Sequence, residues 1–254
     1  MMRMAFISYH SLFTRISPSN LRTLPILRGV IKMDQLIIGQ QLWFVDKISG
    51  EEVSVTVESV NTDYFTFFYK GKEMKCPIKK LGEKIYQVVF YKGEMFRYRN
   101  KNWETSNGEI YSESFQEKIE KCYNIRKKYT YDSGELIRLG RIAKNDKKFN
   151  MAINYFETAI IKSSKNEISN FVSELSSLYR IAKTPNSSIS LYKYICREYV
   201  KFNFTKSFLT SVASAYADIG LKEKALRLSD SLYGKLGGKK DDELNNLYKR
   251  LNSL

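Results

Sequence analysis

Residues 139–160 read LGRIAKNDKKFNMAINYFETAI, and their pattern returns twice further along the chain. The second copy, LSSLYRIAKTPNSSISLYKYI, begins at Leu175, and the third, VASAYADIGLKEKALRLSDSL, begins at Val212. The starts are 36 and 37 residues apart. Thirteen residues after each start stands a small side chain: Ala152, Ser188 and Ala225. A period of this length is typical of supersecondary units that stack on one another.

Each copy predicts two antiparallel helices of about 13 residues, because small side chains let helix backbones cross closely. The pattern resembles the tetratricopeptide repeat over residues 131–254. Copy two departs from it with Ser176 and Ser188 at the small positions, and the proline usual at the end of the family's repeat is absent from all three copies. The resemblance implies three helix hairpins followed by a C-terminal capping helix.

The resemblance also implies a concave groove, lined by the first helix of each hairpin, that binds a protein or peptide. The family's groove-facing positions fall here on Arg138, Arg141, Lys144, Asn170, Ser177, Arg180, Thr210, Ser214 and Asp218. The basic half of this set suits an acidic peptide or a free carboxylate, which Arg and Lys bind through charge-assisted hydrogen bonds. A solvated cationic face explains the same residues equally well.

Residues 34–100 alternate with period two, as half-buried strands do. The pattern predicts strands near 41–47, 52–60, 64–70, 73–78, 84–91 and 94–99. Glycine-containing turns such as Lys70-Gly71 separate them, since glycine readily adopts the positive φ of tight hairpins. The spacing resembles a Tudor-like or Src-homology-three-like domain, which implies a small antiparallel β-barrel. The expected fold class is therefore α+β multidomain, a small barrel followed by an all-α repeat array.

The third predicted strand and the segment after it carry the candidate contact residues of the β module. Phe68 falls on the face opposite Phe67 and Tyr69, so it is expected to point away from the core. The candidate contacts are Phe68, Lys70, Lys72, Lys75, Lys79 and Lys80. The lysines suit nucleic-acid phosphates, or they solvate a sheet edge and block unwanted strand pairing.

Two further segments complete the division of the chain. Residues 101–130 predict a connector and a capping helix, on which Cys122 is a small buried apolar residue. Residues 1–33 hold five basic residues and no acid. Four interpretations of this leader stay open: a mis-assigned start with the native chain beginning at Met33, a transit peptide, a flexible basic arm, and a folded extension.

Composition bears on the class of function. The formal net charge is +15, of which +5 lies in residues 1–33 and +9 in residues 134–254, whereas residues 34–103 carry only +2. One histidine and three scattered cysteines offer neither a metal site nor a disulfide framework, and favour a reducing, cytoplasmic compartment. No apolar run reaches the roughly 20 residues of a membrane span. We therefore expect no catalytic residues, metal or cofactor.

The sequence predicts a non-catalytic adaptor or scaffold that binds a protein or peptide, acidic in character, in the groove of its helical repeats, with the barrel as a second contact module. The alternative is a nucleic-acid-associated accessory protein that uses the basic surface and the barrel. The distribution of charge favours the adaptor, because the β module has almost equal numbers of basic and acidic residues and so offers little net charge to a nucleic acid.

Overall fold

A computed structural model describes residues 36–46, 52–81, 85–199, 201–235 and 242–253 of the chain. The expectations for the leader at residues 1–33 lie outside these ranges. The fold is α+β, with antiparallel sheets followed by helices. The strands are β1 Gln41–Val45, β2 Glu52–Thr56, β3 Ser59–Val60, β4 Tyr64–Tyr69, β5 Lys72–Pro77, β6 Ile85–Tyr91, β7 Glu94–Arg99 and β8 Asn102–Thr105, with a short 3-10 helix at Ile78–Lys80. The helices are α1 Glu113–Arg126, α2 Ser133–Asn145, α3 Phe149–Lys162, α4 Lys165–Ile181, α5 Pro185–Glu198, α6 Lys206–Asp218, α7 Lys222–Lys235 and α8 Asp242–Ser253.

The strands form two sheets, ordered β2-β1-β6-β7-β8 and β3-β4-β5. Leu42, Val55, Phe65, Phe67 and Ile85 form a shared core between them. The predicted barrel is wrong, because the described strands do not close. The physical reason is that β6 pairs with β1 on one side and with β7 on the other, and β7 pairs with an additional strand, β8. The five-stranded sheet therefore extends toward the helices.

Three turns of equivalent geometry end the first helices of the predicted hairpins. Lys147, Lys183 and Gly220 take positive φ values of 59°, 57° and 76° just after α2, α4 and α6. The amide of the following residue then donates to a carbonyl five residues earlier, at 2.8, 2.7 and 2.9 Å. Such Schellman turns satisfy the last carbonyls of a helix and stop it. The turns are 36 and 37 residues apart, as are the sequence copies.

Consecutive helices from α2 to α8 pack against one another, and α4 and α8 also pack against α6. The small residues of the repeated pattern, Ala152, Ser188 and Ala225, are fully buried. At Gly140 an added Cβ would lie 3.0 Å from the ring of Phe156, so this glycine permits the close approach of α2 and α3. The predicted small positions therefore lie where helices meet.

The β6–β7 hairpin joins the sheet to the helices. Val88, Phe90 and Met95 belong to the apolar core of the helical region. At the tip of the hairpin, Gly93 has a φ of +83°, and an added Cβ would lie 2.2 Å from the backbone oxygen of Ser187 on α5. The sheet and the helices are packed together at this hairpin.

The predicted connector begins with β8 and continues as α1, which packs against β6 and β8. Trp103 Nε1 donates to Glu120 Oε2 at 2.6 Å, which fixes the helix to the strand. Cys122 is buried, as predicted, and burial raises the pKa of its thiol to about 12. The thiol therefore stays protonated at neutral pH.

Candidate peptide-binding face

Four of the predicted groove residues are cations that form ion pairs in the structure. We call the set of charged side chains along α2, α4, α6 and α8 the charged ladder. It consists of Glu135, Arg138, Arg141, Lys144, Glu174, Arg180, Asp218 and Arg250. The first helices of the predicted hairpins thus place their cations together, as expected, and also supply the acids that hold them.

Glu174 connects α4 to α2. Arg141 Nε donates to Glu174 Oε1 and Lys144 Nζ donates to Glu174 Oε2, both at 2.9 Å. Arg138 is held within its own helix, where Nη2 lies 2.6 Å from Glu135 Oε1. The predicted carboxylate-binding cations therefore already contact carboxylates of this chain.

Asp218 connects α4, α6 and α8. Arg180 Nε donates to Asp218 Oδ2 at 2.7 Å, and Arg250 Nη2 donates to Asp218 Oδ1. Burial alone would raise the pKa values of Glu174 and Asp218, but the hydrogen bonds and charges of their basic partners outweigh it and lower both pKa values below their ordinary range. Both carboxylates are therefore ionised at neutral pH.

The remaining predicted groove residues divide between surface and interior. Asn170 is exposed, and Ser177 is half-buried with its hydroxyl 3.5 Å from that of Ser211. Thr210 and Ser214 are only 4% and 8% exposed, so their placement on an open groove is wrong. The reason is that α6 packs against four other helices, α8 among them. The accessible part of the face lies on α2 and α4.

Sequence reasoning named Asp218 but missed Glu135 and Glu174, the other two acids of the charged ladder. Glu174 stands one residue before the start of the second copy, where the other copies have Arg138 and Ser211. A comparison of this position between copies would have revealed an acid opposite the cations of the preceding copy. Arg250 follows no repeated position, and no signal in the repeats would have identified it.

The β4–β5 hairpin carries the second set of predicted contacts. Phe68 is 57% exposed, as predicted from the alternation. Lys70 lies 3.7 Å from Asp46, and Lys75 Nζ lies 3.5 Å from the centroid of the Tyr64 ring. Lys72, Lys79 and Lys80 are exposed on the same hairpin and the segment that follows it. Phe68, Lys70 and Lys72 lie at the turn end of this hairpin, where Glu73 is the cross-strand partner of Phe68, whereas Lys79 and Lys80 follow Pro77 at the opposite end.

A buried polar cluster between the sheet and the helices was not predicted. Glu157 on α3 accepts hydrogen bonds from Arg126 on α1, from the Tyr179 hydroxyl on α4, and from the backbone amide of Lys92 at 2.7 Å. Arg126 also donates to the carbonyl of Phe90. Burial and the charge of Glu157 raise the pKa of Tyr179, which keeps the phenol protonated as a donor. The cluster joins the β6–β7 hairpin to α1, α3 and α4.

Two observations concern the described residues as a whole. Within those ranges, His, Cys, Asp and Glu side chains form no group of three or more arranged to hold a metal ion. Each helix in the described part of the chain falls short of the length and apolar character that crossing a bilayer requires. Comparison with protein-family models, with curated proteins and with solved structures finds no match to this chain.

Proposed function

We propose that the protein is a non-catalytic scaffold of tetratricopeptide-type helix hairpins that binds an acidic peptide segment of another protein on the charged ladder. The observation that carries the proposal is the exposure of its paired cations. The side chains of Arg138, Arg141, Lys144 and Arg180 keep between 29% and 60% of their surface exposed. They are held in place and still accessible.

The pairing leaves hydrogen-bonding capacity for a ligand. A guanidinium has five N–H donors in a fixed fork, and a single carboxylate oxygen engages only part of them. The charged ladder contains five cations and three carboxylates, so its charge still favours an acidic partner. Because Glu174 and Asp218 fix the orientation of the cations, a ligand spends less side-chain entropy on binding.

The geometry of the helices supports the repeat assignment. The three Schellman turns recur at the spacing of the sequence copies, and the small residues of the repeated pattern are fully buried. The β module supplies a second contact surface.

The test measures fluorescence anisotropy of a labelled glutamate-rich decapeptide titrated with the whole protein. Arg138→Glu should weaken binding by about tenfold or more, since a hydrogen bond to a charged group contributes about 1.5–3 kcal/mol. Among the described residues Arg138 pairs with Glu135 of its own helix alone, so this change leaves the described contacts between helices in place.

The matched control is Lys193→Glu, the same reversal at an exposed position on α5. It should leave the affinity nearly unchanged, and a glutamine-substituted decapeptide should not bind. Equal losses in the two variants, or equal affinity for the two peptides, would refute the proposed site.

A further inference from the structure

The last strand of the three-stranded sheet has an outer edge that no strand in the described part of the chain covers. In the order β3-β4-β5, β5 is last, and its residues from Lys72 to Lys75 are all exposed. Met74 keeps 37% of its surface exposed, although Phe67, its partner on β4, is buried in the core. The outward amides and carbonyls of an edge strand are a template on which a further strand can pair.

The turn of the β4–β5 hairpin determines which backbone groups face that edge. Lys70 and Gly71 both have positive φ, 49° and 72°, as in a type I′ turn, whose flanking residues form a hydrogen-bonded pair. That pair is Tyr69 with Lys72. Hydrogen-bonded and non-hydrogen-bonded pairs alternate along antiparallel strands. The second and fourth residues of β5 therefore direct their amides and carbonyls away from β4.

Those two residues carry opposite charges, since they are Glu73 and Lys75. When two copies of β5 pair antiparallel, outward backbone groups must meet outward backbone groups, so the two-fold axis passes through a residue pair. An axis at Glu73 opposes two carboxylates, and an axis at Lys72 or Lys75 opposes two ammonium groups. An axis at Met74 places Glu73 of each copy opposite Lys75 of the other, and opposite charges stabilise a cross-strand pair.

We propose that two copies of the protein pair through β5 around a two-fold axis at Met74, which joins their three-stranded sheets into one continuous sheet. Glu73 and Lys75 of opposite copies form hydrogen-bonded pairs on either side of the axis. The two Met74 side chains meet at the centre, in a non-hydrogen-bonded pair, on the same face as the buried Phe67.

The charge of the strand is consistent with this pairing. Lysines on an edge strand ordinarily prevent association, but here Glu73 stands between Lys72 and Lys75 and supplies the counter-charge. The dimer goes beyond the peptide-binding function, because it involves the sheet alone. It gives each particle two charged ladders, so a ligand with two acidic segments binds more tightly than either segment by itself.

The first experiment is sedimentation equilibrium of the whole protein. Pairing of two short edge strands buries less than about 1,200 Å² and forms a weak complex, so we expect a dimer with a Kd of roughly 10–100 μM. Glu73→Lys and Lys75→Glu should each raise the Kd by about tenfold or more, since like charges then face each other at both pairs. An equimolar mixture of the two variants should recover the wild-type affinity, because every pair is again Lys opposite Glu.

The second experiment tests the register by oxidation to a disulfide, in a Cys76→Ser, Cys196→Ser background. The two Cα atoms of a central non-hydrogen-bonded pair lie about 4.5 Å apart, within the range that a disulfide spans. Met74→Cys should therefore form a covalent dimer. The matched control is Lys72→Cys, also exposed on β5, which would lie about 13 Å or more from its copy and should stay monomeric on a denaturing gel.

The charge-reversal control is Lys193→Glu on α5, an exposed position that should leave the Kd unchanged. A monomer throughout the concentration range would overturn the proposal, as would a dimer that Glu73→Lys leaves intact. Equal cross-linking of Met74→Cys and Lys72→Cys would overturn the register, and this outcome does not depend on the folding of the charge-reversal variants.

Discussion

Replacing Gly93 by alanine tests whether the β6–β7 turn packs tightly against α5. An added Cβ would lie 2.2 Å from Ser187 O and 2.6 Å from Leu191 N, both backbone atoms that cannot rotate away. Gly71 holds the same place in the β4–β5 turn, with a φ of +72° and nothing within 4 Å of an added Cβ. Each glycine follows a Tyr-Lys pair, so the two turns differ mainly in their surroundings.

This pair of sites separates backbone strain from close packing. In either turn an alanine is forced to positive φ, which costs about 1–2 kcal/mol. At Gly93 the contact with α5 adds about 1–3 kcal/mol of overpacking. We therefore expect Gly93→Ala to lower the free energy of unfolding by about 2–5 kcal/mol, and Gly71→Ala by about 1–2 kcal/mol.

The assay is urea unfolding followed by circular dichroism, with the midpoint and the m-value compared between the two variants. If Gly93→Ala releases the hairpin from α5 before global unfolding, amide exchange in β6 and α5 should become faster. Equal losses of stability in the two variants, with unchanged exchange, would refute the close packing of the turn.

Three further predictions concern the helices. Lys147→Gly and Lys183→Gly should each raise the unfolding free energy by about 0.5–1 kcal/mol, because both lysines have positive φ where the third turn has a glycine; lower urea midpoints would contradict this. Glu157→Ala should lower the unfolding free energy by about 3–5 kcal/mol, because the buried Arg126 loses its counter-charge. A loss below about 1 kcal/mol in the same assay would contradict the buried pair. The lowered pKa values of Glu174 and Asp218 contribute stability that is complete above the unfolded pKa values near 4 and is lost as the pH falls further through the folded values. Glu174→Gln with Asp218→Asn should flatten the acid limb of a plot of thermal midpoint against pH, and an unchanged limb would contradict the charged ladder.

The features that the sequence predicted correctly depend on residues close together in the chain. Alternation placed Phe68 outside and Phe67 inside, because successive side chains of a strand point to opposite faces. Lys70-Gly71 and Lys92-Gly93 marked two hairpin turns, because glycine adopts positive φ readily. The repeated small residues Ala152, Ser188 and Ala225 also marked buried positions correctly, because each lies within a short segment of the chain whose pattern is visible in the sequence.

The features that the sequence did not predict depend on residues far apart in the chain. The sequence predicted that Arg141 binds a ligand, but in the structure Arg141 donates a hydrogen bond to Glu174, which lies 33 residues later in the chain. Thr210 and Ser214 were assigned to the groove, but α6 is enclosed by its neighbours. Whether the strands close into a barrel depends on which strands pair with β6. The sequence of short strands of similar composition does not specify that pairing.

The β6–β7 hairpin packs against helices that are synthesised after it. Val88, Phe90 and Met95 find their apolar surroundings among the helices, and Ser187 is translated about 90 residues after Gly93. At about 5–20 residues per second, the interval is about 5–20 s. Until then the apolar residues of β6 and β7 lack the α5 surface against which they pack in the folded protein. Translation speed and holding chaperones should therefore influence the yield of this protein more than they influence a chain whose sheet closes on itself.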